Sequence, residues 1–379
     1  MRVPPIAALL ALTPLAALSA GCGDGDGGWV ATTRLPGTFQ STDPARTFLG
    51  GGPPVAAAEV DWDGDGDRDL VTANEGSDDV TVLLSNGRGG YDVGGPFPAG
   101  TGPAGVAAGY LDVDGKPDLA VSNGPAGTVS ILLQGPVSTA RAPRAFPAGI
   151  VSPGPLVAGR FDGDPWIDLV VASTAGAEAR WLRGDGLGGF VDGGPVPVSI
   201  AAFHLALGDL DGDGFPDLVV RGDGALEVLI GRPGGGFQPA GLYPVGGSEG
   251  RVVLGDMDGV PGPEVITTDE ADETLSIFPN RGGVLGTPFV AATRAGPVGV
   301  AAGDLDGDGR LDLVVANEGV HFLMTFAGLG DGTVEPGLLI PVLEGCYDVF
   351  VGHLDADGVP DLTVTLIDPP YALFTMLGS

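Results

Sequence analysis

The stretch Asp61 to Asp69 reads DWDGDGDRD and places five aspartates in nine residues, with a glycine on either side of the central one. Carboxylates so spaced suit three chemistries: a solvated acidic run, a set of catalytic acids and bases, or a cage for a hard cation. Two carboxylates about 5 Å apart repel by roughly 3 kcal/mol at an effective dielectric near 20. Four or five multiply that cost, and a divalent ion reverses its sign. Side-chain oxygens at positions 1, 3, 5 and 9, a backbone carbonyl at position 7 and a glycine at position 6 to allow the sharp turn form the ligand pattern of a calcium loop.

The loop is not alone. Six later segments align with it: YLDVDGKPD from Tyr110, RFDGDPWID from Arg160, DLDGDGFPD from Asp209, DMDGVPGPE from Asp256, DLDGDGRLD from Asp304 and HLDADGVPD from His353. Their closing acidic residues fall at 69, 118, 168, 217, 264, 312 and 361, spaced 49, 50, 49, 47, 48 and 49 residues apart. Three copies keep every side-chain ligand: Asp61, Asp63, Asp65 and Asp69; Asp209, Asp211, Asp213 and Asp217; Asp304, Asp306, Asp308 and Asp312. Position 7 adds the carbonyls of Asp67, Phe215 and Arg310. The second copy opens with Tyr110 and retains Asp112, Asp114 and Asp118, and the seventh opens with His353 and retains Asp355, Asp357 and Asp361; both are weaker metal candidates. In the third, Arg160 opens the loop and Pro165 replaces the glycine, so the Arg160 guanidinium is expected to stand in for the ion by pairing with Asp162, Asp164 or Asp168. The fifth, with Val260 and Pro261 at positions 5 and 6, is expected to have lost its ion.

Each loop sits in a unit of about 49 residues. A small-residue run such as VGVAAG (Val298 to Gly303) enters it; then come LDLVVAN, a turn, an alternating run such as TVSILL (Thr128 to Leu133), a glycine turn and a last run such as FVAATRAG. Runs of four to eight residues rich in Val, Leu, Ile and Ala, bounded by Gly, Pro, Asn and Asp, read as strands. Four strands per unit, seven times, predict an all-β, seven-bladed β-propeller over residues 35–379. Alanines such as Ala57, Ala107 and Ala302 suit a crowded innermost strand. The last unit lacks a fourth strand, which Gly37 to Pro54 resembles, so an N-terminal strand is expected to complete the last blade and close the ring.

Composition fits many short elements. Glycine (69) and proline (34) make about 27% of the chain, a level that without periodicity signals low complexity, yet 43% of residues are hydrophobic. The net charge of −32 repels phosphate backbones and anionic bilayers, excluding nucleic acid as a partner and favouring divalent cations.

The N-terminus, MRVPPIAALLALTPLAALSAGC, has one basic residue and an apolar run from Ile6 to Leu18, too short to span a bilayer. Its ending LSAGC resembles a bacterial lipoprotein signal. That likeness implies a signal at residues 1–22, lipid on Cys22, a linker over residues 23–34 and a chain exported to the cell envelope; ordinary cleavage and secretion is the alternative. Cys346 is then a lone, small buried residue, or else pairs with Cys22.

The repeated D-x-D-G-D-G-x-x-D loop, followed by LVVAN, TVSILL and GGF, resembles the FG-GAP or VCBS-type repeats of integrin α-subunit propellers and bacterial secreted proteins. The resemblance implies Ca2+ held on one face for rigidity, and a protein or glycan partner bound on the opposite face by a monomeric adhesion module. Candidate loops there are Glu75 to Asp79, Asp269 to Glu273 and Asp368 to Tyr371, with the entry loops around Glu249 and Tyr347. A polysaccharide-active enzyme on the same scaffold is the alternative. Against it, His204, His321 and His353 are widely separated and no metalloprotease, nucleophile-elbow or P-loop pattern occurs. Two RGD tripeptides, Arg183 to Asp185 and Arg221 to Asp223, read as turn chemistry.

Overall fold

The computed structural model describes residues 40–48 (backbone only), 54–136, 139–247, 249–342, 345–355, 357–367 and 372–378. The signal, the linker, Cys22 and the loop Asp368 to Tyr371 lie outside them.

Antiparallel four-stranded sheets follow one another along the chain in the order the repeat predicts. Blade 1 comprises Pro54–Val60, Asp69–Asn74, Asp79–Ser85 and Tyr91–Pro98. Blades 2 to 6 begin at Pro103, Pro153, His204, Val252 and Pro297. Blade 7 takes Cys346–Gly352, Asp361–Leu366 and Ala372–Leu377 from the C-terminal end and Gln40–Phe48 from the N-terminal end, with Phe48 opposite Ala372. The ring is therefore closed by the expected strand, and the backbone edge of Ala372–Leu377 is paired.

The second strand explains why these sequences do not alternate. All six residues of each second strand, from Asp69–Asn74 to Asp361–Leu366, are buried. Such a strand has a neighbouring blade on both faces, so it reads as a near-continuous apolar run such as LDLVV. Outer strands face water on one side, and Tyr91–Pro98 is mostly exposed.

Among the described residues, seven apolar clusters fill the seven gaps between blades. One joins Val71, Val80 and Val82 of blade 1 to Leu119, Val121 and Leu132 of blade 2. Another closes the circle by packing Leu373 of blade 7 against Leu70 and Leu83 of blade 1. Each fully buried Val or Leu contributes about 1.5–3 kcal/mol. Polar contacts reinforce the closure: Tyr91 Oη lies 3.0 Å from Thr363 Oγ1, and Thr375 donates to the carbonyl of Gly89 at 2.9 Å.

First strands crowd the axis. A Cβ on Gly105 would lie 2.6 Å from the Gly154 carbonyl oxygen of the next blade, and one on Gly299 would lie 2.8 Å from that of Tyr347. No side chain fits either gap, which accounts for the small residues of this strand.

Candidate metal centre and the opposite face

Each acidic loop joins the end of a first strand to the start of a second, so all seven lie on one face of the ring. The loops are built by their own carboxylates. In the first, Asp61 Oδ1 accepts from Gly64 N at 2.8 Å, Asp63 Oδ1 from Asp65 N at 3.2 Å and Asp65 Oδ1 from Asp67 N at 2.9 Å. The fourth and sixth repeat the ladder: Phe215 N donates to Asp213 at 2.9 Å and Arg310 N to Asp308 at 3.0 Å. Such short-range turns fix the carboxylates in place, and in the fourth and sixth loops both oxygens of the opening residue are engaged, Gly214 N donating to Asp209 Oδ2 at 2.9 Å and Gly309 N to Asp304 Oδ2 at 3.0 Å. The glycines at position 6, Gly66, Gly214 and Gly309, have φ of 98°, 86° and 85°, a region that favours glycine.

Carboxylate oxygens converge within 4.8 Å in four loops among the described residues: Asp61, Asp63 and Asp69; Asp209, Asp211 and Asp217; Asp304, Asp306 and Asp308; and Asp256, Asp258 and Glu264. The first three are the complete copies. Asp65 and Asp213 instead serve their own turns, and Asp312 is outside the sixth group. Asp112, Asp114 and Asp118 and Asp355, Asp357 and Asp361 form the same turns without such a group: Lys116 N donates to Asp114 at 3.0 Å and Val359 N to Asp357 at 2.7 Å. In the seventh loop His353 Nδ1 lies 3.1 Å from the Val359 carbonyl oxygen.

In the third loop the expected pairing is corrected. Asp162 is bound by Arg183, whose Nε donates at 2.8 Å, and Arg160 points to solvent. Arg183 lies on the third strand, Ala179–Gly184, with its guanidinium 5.5 Å from the Trp181 ring. Pairing across strands brought it there, a relation that spacing within the loop does not reveal. In the fifth loop Arg281 Nη2 donates to Asp258 at 2.9 Å.

Two features of the loop escaped the sequence reading. The closing carboxylate at position 9 is a backbone clamp as well as a ligand candidate. Asp217, fully buried, accepts at Oδ2 from Leu210 N (2.7 Å) and Asp211 N (3.3 Å) and at Oδ1 from Gly231 N (2.7 Å). One carboxylate thus ties its loop to the end of the third strand, and Asp69, Asp118, Asp168, Asp312 and Asp361 do the same through Ser85, Gln134, Gly184, Gly328 and Gly378. Burial pushes Asp69, Asp118, Asp217 and Asp312 up to about 6. The Oδ1 of each accepts one amide bond and keeps a second lone pair, so these residues still fit a cation whose charge would offset that burial.

The second feature is a buried plug at position 2: Trp62, Leu111, Phe161, Leu210, Met257, Leu305 and Leu354. Its backbone carbonyl accepts from the following blade, as in Gly188 N to Leu111 O (3.0 Å) and Gly283 N to Leu210 O (3.1 Å), and Gly89 N to Leu354 O (2.8 Å) bridges the seventh blade to the first. The recurring apolar residue before the aspartate at position 3 was the available signal.

The opposite face carries the turns between second and third strands, including residues 75–78 and 270–273, and the entries to the first strands. At its centre lies a depression of about 230 Å³ lined by His204, Glu249, Arg251 and Tyr347 among others. Arg251 sits 5.1 Å from the Tyr347 ring centre, and its Nη2 is 3.3 Å from Asp348 Oδ2. Glu59 and Asp348 stand deeper in the channel, and burial raises both carboxyls above their usual range. His204 is thus at the channel mouth, far in the fold from His353 on the loop face.

The RGD tripeptides are structural. Arg221 is fully buried and donates to Thr267 at 3.2 Å, while Asp185 accepts from Leu187 N and Gly189 N, both at 2.8 Å. Cys346 is free and buried, with its thiol pushed up to about 11 by burial.

Among curated proteins none matches the sequence. Solved structures share the fold at low identity. BBS1N, crystallised in complex with ARL6DN, is 15% identical with a TM-score of 0.63, covering 91% of this chain and 97% of that one. An Agrocybe aegerita lectin described as recognising non-reducing terminal N-acetylglucosamine is 16% identical with a TM-score of 0.53, covering 76% and 80%. A Bacteroides uniformis putative 6-phosphogluconolactonase is 14% identical with a TM-score of 0.58, covering 76% and 86%. The FG-GAP-like repeat model matches residues 61–121, 160–220, 209–259, 262–315 and 304–364, more than half of the chain; the protein belongs to the FG-GAP-like repeat family.

Proposed function

We propose that this is an exported, calcium-stabilised propeller that binds a protein or glycan through the face opposite its acidic loops. The observation that carries the metal reading is the convergence of carboxylates in the first, fourth and sixth loops, the three complete in sequence. Asp61, Asp63 and Asp69, Asp209, Asp211 and Asp217, and Asp304, Asp306 and Asp308 would hold the ions, and the turn amides fix those side chains beforehand. The ion would supply charge neutralisation that keeps these three acidic loops rigid. Lipid on Cys22 is the proposed anchor to a bacterial envelope, with release after cleavage as the alternative.

Binding is favoured over catalysis because the clustered carboxylates are already committed to loop turns and backbone clamps. The opposite face offers mixed chemistry in one depression: the aromatic ring of Tyr347, the cation Arg251 and the acceptor Glu249. The solved structures of the same fold include one complexed with a protein and one described as recognising a sugar.

Thermal unfolding with calcium and with chelator tests the metal reading. At a calcium concentration one hundred times the dissociation constant, each site adds about 2.7 kcal/mol. Asp211→Asn lowers that gain by about one site's share; an unchanged melting temperature on chelation ends the calcium reading. Glu249→Ala and Tyr347→Ala weaken capture of envelope proteins or arrayed glycans. Full binding by both variants, or turnover of a polysaccharide by the pure protein, overturns the binding-face reading.

A further inference from the structure

The loops of blades 2 and 3 have lost the opening carboxylate, which is Tyr110 in one and Arg160 in the other, and neither gathers its remaining carboxylates within 4.8 Å among the described residues. Apolar side chains stand on their surface instead. Tyr110 is 61% exposed, Val113 63% and Trp166 36%, and Leu187, in the turn that follows the third strand of blade 3, is 64% exposed. Three of them are contiguous. Leu187 forms a β-bridge with Asp112, the neighbour of Val113, and the Trp166 ring lies against Gly186, whose φ of 69° and missing Cβ let the ring approach. Large apolar side chains exposed together mark an interaction surface.

A groove opens beside them because the outer strand of blade 2 is short. In blade 1 the pairing runs to the end of the third strand, Ser85 with Tyr91, whereas in blade 2 it stops at Ile131 with Arg144, the first residue of the four-residue strand Arg144–Pro147. The groove holds about 440 Å³: the buried Ile131 and Leu133 form its floor, Val113 and Leu187 its walls, and Arg141 and Arg144 its cationic side. Two carboxylates also line it, and both are engaged. Asp112 Oδ1 accepts from Asp114 N at 2.9 Å, and Asp114 Oδ1 accepts from Lys116 N at 3.0 Å while its Oδ2 lies 3.7 Å from Arg141 Nη2. Arg144 donates from Nη1 to the Gly188 carbonyl at 3.3 Å, and among the described residues neither it nor Arg160 has a carboxylate within ion-pair reach. Residues 103–201 hold six cations and nine acids, a net −3, against two and ten, a net −8, in blade 1 alone over residues 54–98.

We propose that this groove on the loop face docks an acidic segment of a partner protein, seating an aliphatic side chain between Val113 and Leu187 and carboxylates on Arg141 and Arg144. Aliphatic walls and floor suit a side chain such as leucine, and the flanking Trp166, Tyr110 and arginines are the residue types enriched at protein interfaces. The acidic class follows from charge, because Arg144 and Arg160 are cations still without a carboxylate in a sector far less acidic than blade 1. Repulsion from the rest of a chain of net charge −32 is screened beyond about 10 Å at 0.1 M salt, so the guanidinium groups at the groove govern the contact. The surface lies on the loop face, so the proposal stands apart from the ligand proposed for the opposite face and from calcium in the complete loops.

Selection of a displayed library of short random peptides on the full chain, at about 0.15 M salt, tests it. The enriched sequences should carry leucine, isoleucine or methionine beside aspartate or glutamate, and each, made as a fluorescein-labelled peptide, should bind the wild type in fluorescence anisotropy. Leu187→Asp and Val113→Asp should each weaken that binding about tenfold or more, and Arg144→Glu about fivefold. Glu249→Ala and Tyr347→Ala, on the opposite face, should leave it unchanged, which separates this surface from the one proposed there. Circular dichroism confirms that each variant folds, and either wall variant decides the matter if the other does not. The proposal is overturned if no peptide is enriched over a variant carrying Leu187→Asp with Arg144→Glu, if the enriched peptides lack acidic residues, or if they bind Leu187→Asp as tightly as the wild type. Arrayed glycans bound by the wild type and lost with Leu187→Asp would likewise overturn the assignment to a polypeptide.

Discussion

Replacing Asp168 by alanine strips the third blade of its clamp without touching a proposed ion site. In the native fold Asp168 Oδ2 accepts from Phe161 N at 3.2 Å and Oδ1 from Gly184 N at 2.8 Å, with the carboxylate fully buried. Alanine leaves both N–H groups with no acceptor, at about 1–3 kcal/mol each. Against that stands the relief of a buried charge, since burial raises the Asp168 carboxyl above its usual range. The net expectation is a loss of about 2–4 kcal/mol, a large share of the 5–15 kcal/mol typical of a folded domain. Asparagine keeps one acceptor oxygen and should lose about half as much. Urea denaturation followed by circular dichroism, in chelator and in calcium, measures both variants. Because Arg183 already compensates this loop, the loss should be the same in either buffer. A loss below about 1 kcal/mol, or one seen only with calcium, refutes the view that this carboxylate acts as a backbone clamp.

Two further outcomes follow from particular residues. His204 is pushed down to about 3 by burial and by nearby Arg251, with Glu249, Asp348, Tyr347 and Glu59 as the other charged or titratable groups of the channel. Between its ordinary value near 6.5 and about 3 the unfolded chain holds a proton that the fold refuses, so this residue lowers stability as pH falls through that window, by up to about 1.4 kcal/mol per pH unit. The raised carboxylates titrate with the opposite sign, so the quantity to read is the wild-type curve minus that of His204→Asn; parallel curves from pH 7 to 4.5 contradict the assignment. Removing the chain through Phe48 leaves the edge of Ala372–Leu377 open, and the truncated protein should unfold at lower urea and associate with rising concentration on gel filtration. A truncated monomer as stable as the full chain would show that the closing strand contributes nothing.

The fold was legible in the sequence because the repeat is strict. Seven loops at near-constant spacing, each between strand-like runs, specify seven equivalent blades, and the missing fourth strand of the last unit points to the N-terminal segment that supplies it. The ligands of the three complete loops were legible too, since a calcium loop draws its oxygens from consecutive positions and its geometry is local. Contacts between distant positions were not. Arg183 and Arg281 reach their loops from third strands or the turns that follow, about 20 residues on, and only strand pairing sets that approach. The double engagement of Asp168 and its equivalents joins a loop to the end of a third strand for the same reason. Spacing identified which residues could meet an ion, whereas packing decided which carboxylates converge, which are clamped and which already have a guanidinium beside them.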